Sequence, residues 1–269
     1  MTVPTVSSAP EVVHGRLTFG GLLASEVLKA SSLRSTRWLV GLAFLLPVGI
    51  AVITVLTRRP DVTNHTEALA TVLGAVADTN YVPLLLLVSF GTLVGTAEYE
   101  RGAATTTFAV VPRRTPVVLA KVVVVVVTAF LISLASGLVS FLLGSVLMGG
   151  DPPVGLTDPA VARVLAGTAL FQAAVAAIAL SAGLLLRSSI AGVAATLGFV
   201  FVVPALLQAI PVAAVGWFAR TLPGPESSVL EVPDVASGPG ALVWSVVAVV
   251  GWTAATVALA CVVVRRRDV

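Results

Sequence analysis

Six times along this chain the sequence runs for about 20 residues with almost no ionisable side chain, long enough to cross a ~30 Å hydrocarbon core as a helix. Hydrocarbon offers the backbone no hydrogen-bond partner, so only helices and closed barrels span it. The runs lack the period-2 alternation of barrel strands, which removes the second option. Composition agrees: 57% of the 269 residues are hydrophobic and 11% charged, against roughly 25% charged in soluble domains. The expected fold is an all-α polytopic membrane protein.

The spans read as residues 38–57, 81–97, 117–148, 163–186, 190–207 and 241–264. Residues 1–16 read as a flexible terminus, and 265–269 as a basic tail. Over 17–37, Leu17, Leu22, Leu23, Val27, Leu28 and Leu33 interleave with Glu26, Lys29, Arg34 and Arg37. That pattern predicts an amphipathic helix on the membrane surface, with a plain juxtamembrane linker as the alternative. Thr66 to Ala77 reads as a short helix that Asp78 and Asn80 keep from joining span two. Beyond Pro204, residues 208–218 read either as a kinked end of span five or as a re-entrant element opening the 208–240 loop. The first apolar run starts at Trp38, which is late for a cleaved signal peptide.

Lys and Arg set the orientation. Arg16, Lys29, Arg34, Arg37, Arg101, Arg113, Arg114, Lys121, Arg187, Arg265, Arg266 and Arg267 fall on one side. Arg58, Arg59, Arg163 and Arg220 fall on the other. The bias predicts both termini in the cytoplasm. With its positive charge confined to membrane flanks, the chain is not expected to bind nucleic acid. Trp38, Trp217 and Trp244 fall near span ends, as interfacial anchors do.

Several chemistries are excluded. The single cysteine, Cys261, allows no disulfide within the chain, and His14 and His65 build no metal cluster. There is no phosphate-binding Gly-x-x-x-x-Gly-Lys-Ser/Thr loop, no His-Glu-x-x-His and no Gly-x-Ser-x-Gly elbow. The span interiors lack the Asp, Glu, Lys or Arg that mark an ion relay. The chain reads as neither an enzyme nor a carrier with its own energy source.

Small and polar residues do recur within the spans. Gly91 and Gly95 lie four apart, and Ala169, Ala173, Ala176, Leu180 and Gly183 form a mostly small face. Ser133, Gly137, Ser140 and Gly144 share another face, and Gln172 and Gln208 are the in-span amides. Small faces let helices approach closely. These positions read as helix packing or as a substrate path.

The loop between spans two and three, residues 98–116, is the most informative soluble piece. Glu98, Tyr99 and Glu100 lie near the membrane exit, followed by Arg101 and the turn-permitting Gly102. Ala103 to Val111 reads as a short helix carrying Thr105, Thr106, Phe108 and Val110. Pro112 ends it, and Arg113 and Arg114 follow. A basic loop explains the arginines. It does not explain a compact apolar-and-threonine helix, which suits a docking surface for a soluble partner.

The run Glu98-Tyr-x-x-Gly, the Thr-rich segment and Val111-Pro-Arg-Arg resemble the first cytoplasmic loop of ABC-2-type permeases of actinobacterial style. Ser25-Glu-Val-Leu-Lys and Leu33-Arg-Ser-Thr-Arg-Trp38 resemble the connecting helix of that family. Ala103 departs from it, since the family often has Thr or Ser after the Gly. The resemblance implies a type V exporter-like transmembrane domain, dimerised with a second permease copy or a homologous permease. It implies a separate ABC ATPase subunit holding ATP and Mg, with no cofactor bound by this chain and with 102–111 as the coupling helix. An exporter of a lipophilic drug, antibiotic or lipid follows as an expectation. The alternatives are a non-transporting scaffold or sensor of the same fold, or an ion-coupled carrier.

Overall fold

The computed structural model describes residues 18–57, 65–100, 114–148, 155–224 and 239–266. Most of the 101–116 loop, the two terminal segments and residues 225–238 of the second long loop lie outside these residues. The described chain forms α1 (Phe19–Ser32), α2 (Arg34–Thr57), α3 (His65–Asp78), α4 (Tyr81–Glu100), α5 (Arg114–Leu147) and α6 (Pro159–Leu186). It continues as α7 (Ser189–Leu197), a π-helical turn (Gly198–Val202), α8 (Val203–Gln208), α9 (Ala213–Ala219) and α10 (Pro239–Arg266). Six helical stretches are long and apolar enough to cross a membrane: Arg34–Thr57, Glu67–Tyr99, Thr115–Leu147, Pro159–Leu186, Ser189–Gln208 and Gly240–Arg266. The chain is a multi-pass membrane protein, all-helical among the described residues.

Local chemistry sets the helix ends. Thr18 caps α1 by accepting from the Gly21 amide at 3.2 Å. Asp158 caps α6 by accepting from the Ala160 amide at 2.8 Å, with Pro159 at the first turn, where a missing N–H costs nothing. Arg187 ends α6 in the left-handed region at φ 54°, a position glycine usually fills. Its amide donates to the Gly183 carbonyl at 2.8 Å.

The centre of the bundle is α6, most of whose residues are buried. The α3–α4 stretch runs parallel to it. Val72, Leu73 and Val76 pack with Val161, Val164 and Leu165; Leu84 and Val88 with Phe171, Ala174 and Val175; Phe90 and Val94 with Ala176 and Leu180. The steady register makes α3 and α4 one span with a break at Thr79–Asn80. At the break the Thr79 and Asn80 amides reach only three residues back, to the Val76 and Ala77 carbonyls at 3.3 and 3.1 Å.

Alpha-4 and α6 meet through small residues. A Cβ at Gly91 would collide with the Ala176 carbonyl, and one at Gly183 would lie 2.8 Å from the Thr92 carbonyl. Backbones this close exclude side chains, and dispersion between them holds the pair. Thr92 adds a hydroxyl that donates to the Val88 carbonyl at 2.8 Å and lies 3.4 Å from that of Ala179.

After α8 the chain breaks at Pro211 and folds back. Gly224 sits against the π-turn, where a Cβ would lie 2.8 Å from the Val200 carbonyl. Trp217 packs on Trp244 with ring centres 6.2 Å apart, and Phe218 on Trp252 at 6.3 Å. Residues 209–224 are therefore a return element lying over the fifth and sixth spans.

Candidate functional site

One end of the bundle collects α1, the end of α4, the start of α5, the end of α6 and the end of α10. Four charged side chains meet there. Glu26 of α1 and Lys121 of α5 are 3% exposed, Glu98 of α4 is 7% exposed, and Lys29 of α1 is partly exposed. The Lys121 ammonium donates to Glu26 Oε2 at 2.6 Å and reaches Glu98 Oε1 at 3.3 Å. The Lys29 ammonium donates to Glu26 Oε1 and to Glu98 Oε1, each at 2.8 Å. Two cations and two anions alternate, so the cluster is neutral as a unit.

The sequence builds this cluster from helix geometry. Glu26 and Lys29 are three apart on α1 and therefore share a face. Glu26 turns toward the bundle, and Lys29 lies at the exposed edge of that face. Lys121 lies on the second turn of α5, and Glu98 on the last turn of α4, so the two flank the 101–113 segment in sequence and meet in space. Burying the three charges of Glu26, Glu98 and Lys121 costs several kcal/mol each unless every one is paired. The arrangement meets that condition, and it joins α1 to both helices that flank the loop. Burial pulls the Lys29 pKa down, but hydrogen bonds to Glu26 and Glu98, and their charges, outweigh it and hold the ammonium above its usual 10.5.

Two further contacts close the same end. The Arg187 guanidinium lies 5.0 Å from the centre of the Tyr99 ring, a cation–π geometry. Arg265 Nε donates to the Thr115 hydroxyl at 2.6 Å. Arg187 joins the α6–α7 turn to the end of α4, and Arg265 joins α10 to the start of α5.

The residues expected to couple to a partner divide in two. Glu98 and Tyr99 sit within this set of contacts. Glu100 is the last residue of α4 and Arg114 the first of α5. Arg101, Gly102, Thr105, Thr106, Phe108, Val110 and Arg113 lie outside the described residues. Sequence reasoning treated Glu26, Lys29 and Lys121 as ordinary flanking charges and missed that they meet. The available signal was Lys121 itself, which stands inside an apolar run with valines on its C-terminal side.

The in-span polar residues also separate. The Ser133 hydroxyl donates to Gln172 Oε1 at 2.6 Å, and Gln172 Nε2 donates to the Asn80 carbonyl at 3.4 Å. Gly137 faces Leu165, and Gly144 faces Val72 and Val55. Ser133, Gly137, Ser140 and Gln172 line one small pocket. Gly144 packs elsewhere, and Gln208 stands exposed at the end of α8.

A scan against protein-family models and a search of curated proteins returned no match for this chain.

Proposed function

We propose that this chain is the membrane-spanning permease subunit of an ATP-binding cassette transporter with an ABC-2-type transmembrane domain. In this reading a separate ATPase subunit docks on the 98–116 loop, and a second permease copy or a homologous permease completes the transporter. ATP and Mg are held by the ATPase. The cargo is lipophilic, in keeping with spans made mostly of apolar residues, and it is exported. The chain lies in a bacterial cell membrane with both termini in the cytoplasm, as the Lys and Arg distribution favours.

The observation that carries this reading is the charge cluster at the roots of the loop. Glu98 and Lys121 stand on either side of residues 101–113 and are both paired with α1. A force on the loop therefore reaches α1, α4 and α5 together. This linkage supplies a route for work done outside the membrane. Coupling of this kind needs two states with different contacts, and the charge pairs are contacts able to differ between them.

Inside-out vesicles from cells that produce the chain, and from cells that lack it, test the reading with a panel of lipophilic fluorescent dyes. The expected result is dye accumulation that needs the chain and hydrolysable ATP, and that survives a protonophore. Chain-dependent accumulation that follows a proton gradient without ATP overturns it in favour of an ion-coupled carrier.

A further inference from the structure

At the break between α3 and α4, the bundle forms a pocket lined by seven neutral polar residues together with Pro47, Val76, Pro83, Gly137 and Leu165. It lies near the middle of the spans: Gln172 is the fourteenth of the 28 residues of α6. Asn80, Ser133, Ser136, Ser140, Thr168 and Gln172 all line it and are all at least nine-tenths buried. Some of these groups satisfy one another or the backbone. Ser133 and Gln172 pair as described, and the Ser136 hydroxyl donates to the Ser133 carbonyl at 3.1 Å.

Three groups are left over. Asn80 Nδ2, the Ser140 hydroxyl and the Thr168 hydroxyl have no hydrogen-bond partner among the described residues. They come from three different elements: the α3–α4 break, α5 and α6. A buried polar group without a partner is costly, and three beside one cavity point to a missing partner common to them. The free space is about 10 Å³, close to the minimum for a single water. It has no room for a carbon chain. Buried waters typically make about three hydrogen bonds.

We propose that this pocket is a binding site for one buried water, which accepts from Asn80 Nδ2 and bonds the hydroxyls of Ser140 and Thr168. The water ties the broken span to α5 and α6. It also explains how irregular backbone is tolerated at this depth, since such backbone occurs in membranes only where protein or water covers it.

The sign of a stability change tests the site. Ser140→Ala and Thr168→Val each remove one hydroxyl with little change of shape. If the pocket is dry, each variant removes an unpaired polar atom and melts at the same temperature or higher. If a water is bound, each loses a hydrogen bond and melts roughly 2–4 °C lower in detergent micelles. The double variant then falls by less than the sum, because both substitutions act on the same water. Lower melting of both single variants with this shortfall supports the site. Unchanged or higher melting of either, or falls that add in full, overturns it.

Discussion

Lys121 and Glu26 stand 95 positions apart in sequence and meet at 2.6 Å, both almost fully buried. This contact fixes α1 to the first turns of α5. It is half of a square whose other corners are Lys29 and Glu98. Neutral as a whole, the square tolerates burial, but it does not tolerate the loss of a buried corner such as Lys121.

Lys121→Met is the direct test of that statement. It leaves Glu26 and Glu98 sharing only Lys29. Breaking a buried pair by removing one partner costs about 3–5 kcal/mol. The expected outcome is a loss of that size in chemical unfolding followed in micelles. Lys121→Met combined with Glu26→Gln regains part of the loss, because the uncompensated carboxylate is gone. A single variant as stable as the parent contradicts the pairing.

Lys29 gives the square a pH dependence of definite sign. Its folded pKa lies above the usual 10.5 because Glu26 and Glu98 outweigh its partial burial. A raised folded pKa adds stability that is complete below the unfolded value and is lost as pH rises through the folded one. The stability gap between the parent and Lys29→Gln should therefore be constant from pH 7 to 9 and should narrow above about pH 10.5. The gap is modest, under about 1 kcal/mol, because Lys29 is screened by solvent. A gap that widens at high pH has the wrong sign.

The seam between α4 and α6 makes a third prediction. At Gly183 an added Cβ meets the Thr92 carbonyl at 2.8 Å, whereas at Gly251 of α10 it meets nothing within 4 Å. Both are helical glycines, so both gain helix propensity from alanine. Gly183→Ala should cost about 1–3 kcal/mol through overpacking, while Gly251→Ala is neutral or gains up to about 1 kcal/mol. Equal effects at the two sites would falsify the close approach of α4 and α6.

Much of the architecture was legible in the sequence. Runs of apolar residues mark six membrane-crossing stretches because the bilayer sets a minimum length that few soluble helices meet without charges. Gly91, Gly95 and Gly183 were visible as small faces because helical spacing is local. The charge square was not legible. Glu26 and Glu98 are 72 positions apart, and a surface helix shows its charges the same way whether they face water or protein. The α3–α4 register was hidden for a related reason. Asp78 and Asn80 mark a break, but nothing local says that the chain continues in the same direction beside α6. The shared pocket of Asn80, Ser140 and Thr168 depends on that register and so was hidden with it.

The central claim is that the loop rooted in Glu98 and Lys121 carries a separate ATPase. The most direct measurement is Mg-ATP hydrolysis by the complex purified through a tag on this chain from its native membrane. The parent chain is compared, mole for mole, with a Phe108→Glu/Val110→Glu variant that reaches the membrane in equal amount. The account predicts hydrolysis that copurifies with the parent and is lost with the variant. No hydrolysis with the parent, or equal hydrolysis with both chains, would contradict it.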